Sequence, residues 1–334
     1  MDDVDAMRRA LALAASVRRL TAPNPWVGCL IEAVDGTTFE GATAPPGGPH
    51  AEAAALAAAG SAAWGATAWV TLEPCSHHGR TGPCADALVL AGVRRVVVAI
   101  EDPDARVCGR GLQIMRDGGV EVVVGVEAAA TRDQLAAYIT HRTTGRPHVV
   151  LKLAATLDGR TAAPDGTSQW ITGEQARRDA HRLRAESQAI VVGAGTVRTD
   201  DPALTVRHVA GADPLRVVLG HALPGARVHP ALEHRGELVD LLDELGRRGV
   251  LQVLVEGGAT VAGDFHRQRL VDRYVVYLAP ALFGGDDARP LLAGPGAPTI
   301  EALWRGRIVD VERLGDDVRI DLQPTHQATP EEQP

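Results

Sequence analysis

Short apolar runs alternate with Ala- and Leu-rich helical runs along almost the whole chain, and the alternation breaks once and restarts. Strand-like segments stand at WVGCLIEA (26–33), TAWVTLE (67–73), RRVVVAI (94–100) and VEVVVGV (120–126), each bounded by Gly, Pro or Asp. Helical runs HAEAAALAAAG (50–60), CADALVLAG (84–92) and GRGLQIMRDGG (109–119) fall between them. Strands that take turns with helices predict an α/β fold. The polar stretch HRTTGRP (141–147) reads as a boundary, so one domain is expected over 1–145 and a second over 146–323. The second should run as strand PHVVLKLAATLDG, helix GEQARRDAHRLRAESQ, strands AIVVGAG and PLRVVLG, and helix ELVDLLDELGRRG. Strand LQVLVEGG, a helix from Asp264 to Leu270 and strand YVVYLAPALF follow, and 324–334 reads as a disordered tail.

Two domains suit 334 residues at roughly 100–200 per domain. Aromatic residues make up only 3%, so the core has to be Ala, Val and Leu at high density. Few rings and a net charge of −8 argue against a nucleic-acid partner and favour a small molecule. No apolar stretch reaches the ~18 residues of a membrane span, so no membrane partner is expected. ALALAASV (10–17) follows an acidic start and is closed by Arg18 and Arg19, which predicts an amphipathic helix rather than a signal segment. The four cysteines, 29, 75, 84 and 108, are too few and uneven for a disulfide framework, which implies reduced thiols and a cytoplasmic protein. Cys29 and Cys108 read as small buried hydrophobes.

His50-Ala51-Glu52 opens a helical run, Glu73-Pro74-Cys75 follows a strand, and Cys84 opens a second helix. Zinc favours thiolate and imidazole donors, and a catalytic site uses three protein ligands with one place left for water. His50, Cys75 and Cys84 supply that count, and helix N-termini favour both cysteines as thiolates. Glu52, two residues past His50, is placed to carry protons for a water whose pKa the metal brings to ~7. The order H-x-E, P-C, Cys is the zinc deaminase signature, although SHHGRTGP separates the two cysteines where the generic motif has two residues. A structural zinc knuckle closed by His77 or His78 is the competing reading.

Of 34 basic residues a single one, Lys152, is lysine, and it falls in the apolar run VVLKLAA. A buried ammonium needs a ligand or carboxylate, because an unpaired buried charge costs several kcal/mol. Asp200-Asp201-Pro202 follows a strand-like run, near Arg184 and Arg207, both candidates for an anionic group. VEGGATVAG (255–263) leaves a strand and enters a helix, a junction suited to phosphate, although G-x-G-x-x-G is absent.

PNPWVGC, GGPHAEAAAL, VTLEPCSHHGRTGPC, KLAATLDGRTA, SQWIT, GTVRTDDPALTVR and VEGGATVAG, in this order, resemble the bifunctional deaminase-reductase family of riboflavin biosynthesis over nearly the whole chain. The resemblance implies a three-layer cytidine-deaminase-like N-terminal domain and a dihydrofolate-reductase-like α/β C-terminal domain. It also implies zinc-dependent hydrolytic deamination of 2,5-diamino-6-(5-phosphoribosylamino)pyrimidin-4-one, then NADPH reduction of the ribosyl group of the product uracil to ribityl. On matching positions Asn24 would touch the pyrimidine, and Ser168, Arg184, Leu204, Arg207 and Glu256 the reductase substrate. Ala154, Trp170, Thr196, Asp200, Gly257, Gly258, Ala259, Thr260 and Gly263 would contact NADPH, with Lys152 and Asp200 polarising or protonating the sugar oxygen. A homodimer or larger homo-oligomer is implied as well. Thr43 stands where many members carry His, and 220–237 leaves room for little more than a loop where the family has a strand. The alternatives are a deaminase whose second domain serves only dimerisation, a polynucleotide deaminase, and a non-catalytic zinc module.

Overall fold

A computed structural model describes residues 1–76, 82–104 and 107–325. The chain divides into two compact units, Met1–Arg146 and Pro147–Pro334. The first unit holds α1 (Asp3–Val17), β1 (Gly28–Glu32), β2 (Thr38–Ala42), α2 (Ala51–Ala59) and β3 (Thr67–Val70). It continues with α3 (Cys84–Leu90), β4 (Arg95–Val98), α4 (Arg110–Asp117), β5 (Glu121–Val124), α5 (Ala128–Gln134) and α6 (Ala136–Thr144). The sheet order is β2-β1-β3-β4-β5, with β1 antiparallel to both neighbours and β3, β4 and β5 parallel. Strand β2 and helices α5 and α6 escape the sequence reading, and α6 runs into the polar stretch read as a boundary.

Small residues set the layer spacing. A Cβ at Gly28 would lie 1.9 Å from the Ala10 carbonyl oxygen of α1, and one at Gly41 2.1 Å from that of Ala51 in α2. Gly41 pairs with Cys29, so the two glycines occupy opposite faces and the sheet lies between α1 and α2. On the α1 face Ala6, Met7 and Ala10 pack on Leu30, Trp69 and Val97. Close backbone approach thereby replaces the bulk of aromatic side chains.

The second unit contains β6 (His148–Thr156), β7 (Arg160–Ala162), α7 (Glu174–Ala185), β8 (Ala189–Gly193), α8 (Ala194–Asp200), β9 (Leu215–Leu219) and β10 (Leu232–His234). After α9 (Leu238–Arg247) come β11 (Gln252–Val255), α10 (Ala259–Arg267), β12 (Arg273–Ala279), β13 (Arg289–Pro290), β14 (Gly306–Leu314) and β15 (Asp317–Pro324). Eight strands line up as β10-β9-β8-β11-β6-β12-β15-β14. The first six are parallel, and the last two form an antiparallel hairpin on β12.

Several expectations are corrected. AIVVGAG is not one strand: β8 stops at Gly193 and α8 begins at Ala194, so Asp200 ends a short helix. The last helix starts at Ala259, not Asp264. The stretch 220–237 does contain a strand, the three-residue β10 on the sheet edge. Pro324 closes β15 rather than opening a tail, and 326–334 lie outside the described residues.

Face assignment in this unit follows strand parity. Val149, Leu151 and Leu153 join the cluster of α9 and α10, including Leu241, Leu245 and Phe265. Val150 joins the opposite cluster with Leu183 of α7 and Val197 of α8, and Ala154 packs there too. Lys152, two residues from each, therefore faces α7.

Farther along that face lies a charged network. Asp321, fully buried, accepts from Arg273 Nε at 2.9 Å and from Arg319 Nε and Nη2 at 2.8 Å each. Arg319 and Tyr277 also donate to Asp179 of α7, at 3.0 and 2.6 Å. Removing one member of a buried pair strands the other, so Asp321→Ala should destabilise this unit by about 3–5 kcal/mol. A lowered urea unfolding midpoint of the second unit is the expected reading.

Candidate functional site

His50 caps the N-terminus of α2, Cys75 follows Pro74 beyond β3, and Cys84 is the first residue of α3. The His50 Nδ1 atom lies 3.6 Å from Cys75 Sγ and 3.5 Å from Cys84 Sγ. All three donor atoms fall within 4.8 Å of one another. Tetrahedral zinc, with bonds of about 2.1 Å to nitrogen and 2.3 Å to sulfur, holds such atoms about 3.6 Å apart, so the donor set fits this ion. His77 and His78 lie outside the described residues.

The two thiols are not alike. Cys84 donates its backbone N–H to Cys75 Sγ at 3.3 Å. The neighbouring Cys84 thiol, with His50, holds Cys75 down at about 4. Cys84 is pushed up instead, by the sulfur beside it, by burial and by Glu52. The expectation of two ready-made thiolates is therefore corrected: one helix start and one imidazole stabilise a single anion, and a second thiolate beside it needs the cation. Glu52, in the first turn of α2, is buried, and burial pushes its carboxyl up to about 7.

Glu73, which the sequence reading did not single out, anchors the Cys75 loop. Its Oε2 accepts the N–H groups of Asp102 (3.1 Å) and Gly109 (2.9 Å), and its Oε1 those of Gly111 (2.8 Å) and Leu112 (3.4 Å). A carboxylate inside VTLEPC was the available signal. Thr43 uses its hydroxyl on Val27, accepting the N–H at 3.1 Å. Asn24 sits in a turn before β1, its N–H donating to the Thr21 carbonyl at 2.8 Å. Cys29 is buried as expected, whereas Cys108 is exposed, because it stands at the surface turn leading into α4.

In the second unit Lys152 shares a face with Tyr277, its Nζ 5.9 Å from the ring centre. Burial pushes its ammonium below the usual lysine range, Glu256 opposes the shift and Arg184 adds to it. Arg184 and Glu256 are brought together as a fork, Nε–Oε1 2.7 Å and Nη2–Oε2 2.9 Å. Against burial, Arg184 and Lys152 hold the Glu256 carboxyl down at about 2. Arg207 turns its guanidinium to Thr205 Oγ1 at 2.8 Å and donates its backbone N–H to His181 Nδ1 at 3.1 Å. Leu204 is buried with a φ of 52°. His181 was missed, since nothing in an Arg-rich helix marks it.

Gly258 caps α10, whose first turn carries Ala259 and Thr260, and a Cβ on Gly258 would lie 3.6 Å from Thr196 Oγ1 of α8. Gly263 lies inside α10, where a Cβ would meet the Ala293 carbonyl oxygen at 2.1 Å, so helix packing accounts for this glycine. Ala154 follows Lys152 on the same face, and Ser168 is half-buried. Trp170 is exposed beneath the Arg177 guanidinium, 4.7 Å away. Partial burial raises the Asp200 carboxyl, opposed by Arg289.

A His-Cys-Cys donor set beside a buried glutamate, on a three-layer unit followed by a second α/β unit, defines a zinc-dependent deaminase joined to a further enzyme domain. Residues 1–100 match the cytidine and deoxycytidylate deaminase zinc-binding region, and 147–320 match the RibD C-terminal domain. The riboflavin biosynthesis protein RibD of Escherichia coli is 40% identical over 365 residues, covering 96% of this chain and 99% of that protein. The structure of Acinetobacter baumannii RibD superposes with a TM-score of 0.90 at 38% identity, covering 97% of this chain and 99% of the other. A Thermotoga maritima diaminohydroxyphosphoribosylaminopyrimidine deaminase/5-amino-6-(5-phosphoribosylamino)uracil reductase gives 0.86 at 30% identity, with the same coverage. The chain belongs to the RibD family of riboflavin-biosynthesis enzymes, with both deaminase and reductase domains.

Two predictions follow the geometry. Glu73→Gln turns an amide NH₂ toward backbone donors and should lower the stability of the first unit by about 2–3 kcal/mol in thermal or urea unfolding. Burial, with Arg184 and Arg207 close by, holds His181 down at about 4 against 6.5 for the free side chain. Below pH 6.5 the unfolded chain takes up a proton that the folded chain refuses, so this stability is full above 6.5 and drains away toward pH 4. Between pH 7 and pH 5 the protein should lose about 2 kcal/mol more than His181→Asn.

Proposed function

We propose that the first unit deaminates 2,5-diamino-6-(5-phosphoribosylamino)pyrimidin-4-one by hydrolysis. The second unit then reduces the ribosyl group of 5-amino-6-(5-phosphoribosylamino)uracil to ribityl with NADPH. The observation that carries this reading is the His50, Cys75 and Cys84 donor set with buried Glu52 beside it. These three residues would hold zinc, which supplies a Lewis acid that makes water nucleophilic near neutrality. Glu52 does the proton work: its buried carboxylate takes a proton from the attacking water and returns one to the departing amino group, which leaves as ammonia. Asn24 orients the pyrimidine.

In the second unit the N-terminus of α10, with Gly257, Gly258, Ala259 and Thr260, offers free backbone N–H groups for the phosphates of NADPH. Ala154, Trp170, Thr196, Asp200 and Gly263 complete the cofactor set, and NADPH supplies the hydride. Ser168, Arg184, Leu204, Arg207 and Glu256 form the substrate side. Lys152, with an ammonium destabilised by burial, donates or polarises at the sugar oxygen, and Asp200 is the second candidate. Among the described residues no helix is long and apolar enough to cross a membrane. A cytoplasmic site suits reduced Cys75 and Cys84, and the protein works as a homodimer or larger homo-oligomer.

Crossed variants test the assignment. Glu52→Gln should cut ammonia release by about 10²–10⁴ with zinc content unchanged, and leave NADPH oxidation on deaminated substrate intact. Lys152→Met should do the reverse. Loss of neither activity would overturn the roles, and absent NADPH oxidation in the unaltered enzyme would favour a second domain kept only for association.

A further inference from the structure

The stretch 201–214, which joins α8 to β9, contains neither strand nor helix. Backbone groups that lack a ladder need other partners, and here three consecutive residues find them in side chains. The Thr205 carbonyl accepts from Arg184 Nη1 at 3.2 Å, the Val206 N–H donates to Asp213 Oδ1 at 2.7 Å, and the Arg207 N–H donates to His181 Nδ1 at 3.1 Å. His181 and Arg184 stand three residues apart on α7 and so share one side of it. One helix therefore grips both ends of the segment.

The three holders are not equivalent. Arg184 is committed to its fork with Glu256, and Asp213 is exposed and shared with Arg216. His181 is 6% exposed and meets the His208 ring edge-on, centroids 5.1 Å apart at 73°. An imidazole accepts at Nδ1 only when that nitrogen is bare, so the ring is neutral with its proton on Nε2. Neutrality suits its surroundings, since Arg184, Arg207 and His208 oppose a positive charge there and Glu256 alone favours one.

We infer that His181, given Arg207 on the substrate side as proposed above, is a positioning residue of the reductase: by holding the Arg207 N–H it fixes where that guanidinium stands for the substrate phosphate. Arg207 is exposed, and its Nη1 folds back on Thr205 Oγ1 at 2.8 Å. Side chain and backbone of 205–207 thus move as one body, and the body is anchored at 207 by His181. A guanidinium meets a phosphate well only in a narrow range of orientations, and a shift of about 1 Å can cost up to 10²-fold. The phosphate lies at the far end of the ribose from the carbon that takes the hydride, so the loss falls on binding.

Steady-state NADPH oxidation by the full chain on 5-amino-6-(5-phosphoribosylamino)uracil tests this, with ammonia release, expected unchanged throughout, as the control. His181→Leu should raise the KM for this substrate about fivefold or more, with kcat and the KM for NADPH within about twofold. His181→Asn, whose Oδ1 falls where Nδ1 stood, should bring that KM back to within about twofold of the unaltered enzyme. Arg207→Ala should raise it about tenfold or more, and adding His181→Leu should raise it no further. If the leucine does not fold, His181→Ala, which cannot overpack, carries the same expectations. Equal effects of Asn and Leu, a parallel rise in both KM values, or additive effects of the pair would overturn the role of His181 alone. An unchanged substrate KM in Arg207→Ala would overturn the placement of Arg207 and His181 with it.

Discussion

The first unit depends on one carboxylate gathering the backbone around it. Glu73 takes four N–H groups from the approach to α4 and its first turn, two residues before Cys75. Pro74 then sets the direction of the chain, and the first N–H of α3 returns to the Cys75 sulfur. The backbone of Cys84 is thereby tied to the sulfur of the other cysteine, which fixes the two thiols side by side. Convergence of imidazole and thiols is built by strand and helix ends, leaving the cation to neutralise a second thiolate that the protein alone disfavours.

In the second unit the corresponding constraint is the two-residue period of β6. Leu151 and Leu153 go into the apolar layer under α9 and α10, and that choice sends Lys152 to the other side. There β11 ends at Val255 and delivers Glu256, and α7 delivers Arg184. The Arg184–Glu256 fork satisfies both carboxylate oxygens, so Glu256 stays ionised while buried. An anion held in this way is a fixed negative potential for Lys152. It opposes the loss of charge that burial alone would impose on the ammonium.

Many of the central strands and the His50, Cys75 and Cys84 donor set were legible in sequence. Val-rich runs flanked by Gly and Asp mark β4, β5, β8, β9 and β11, and H-x-E with P-C names its own chemistry. The elements that escaped lack that signal. Strand β2, TFEGA, is covered by α2 through a glycine rather than through apolar bulk. The β14–β15 hairpin reads GRIVDVERLGDDVRIDLQP, where buried Asp317, Arg319 and Asp321 break the apolar pattern because they are satisfied by ions and caps. Its alternation about Gly315-Asp316 was the usable clue. That a second thiolate is disfavoured beside the first was invisible because it depends on how close the two sulfurs and Glu52 come in the fold.

The lone lysine now has a physical reason. This chain makes 33 of its 34 basic residues from arginine, and arginine serves wherever a permanent, planar charge is wanted, as in Arg184, Arg273 and Arg319. A guanidinium stays protonated under any burial a protein can impose, so it can anchor a carboxylate but cannot act as a proton donor of tunable strength. Lys152 is half-buried beside Tyr277, where desolvation lowers its ammonium, Glu256 opposes the shift and Arg184 adds to it. Arginine there would add a rigid fork and a third permanent charge to a face already holding Arg184 and Glu256, in place of an ammonium that can titrate. At 152 lysine is the basic residue whose charge burial can weaken, which is what the proton role proposed for it requires.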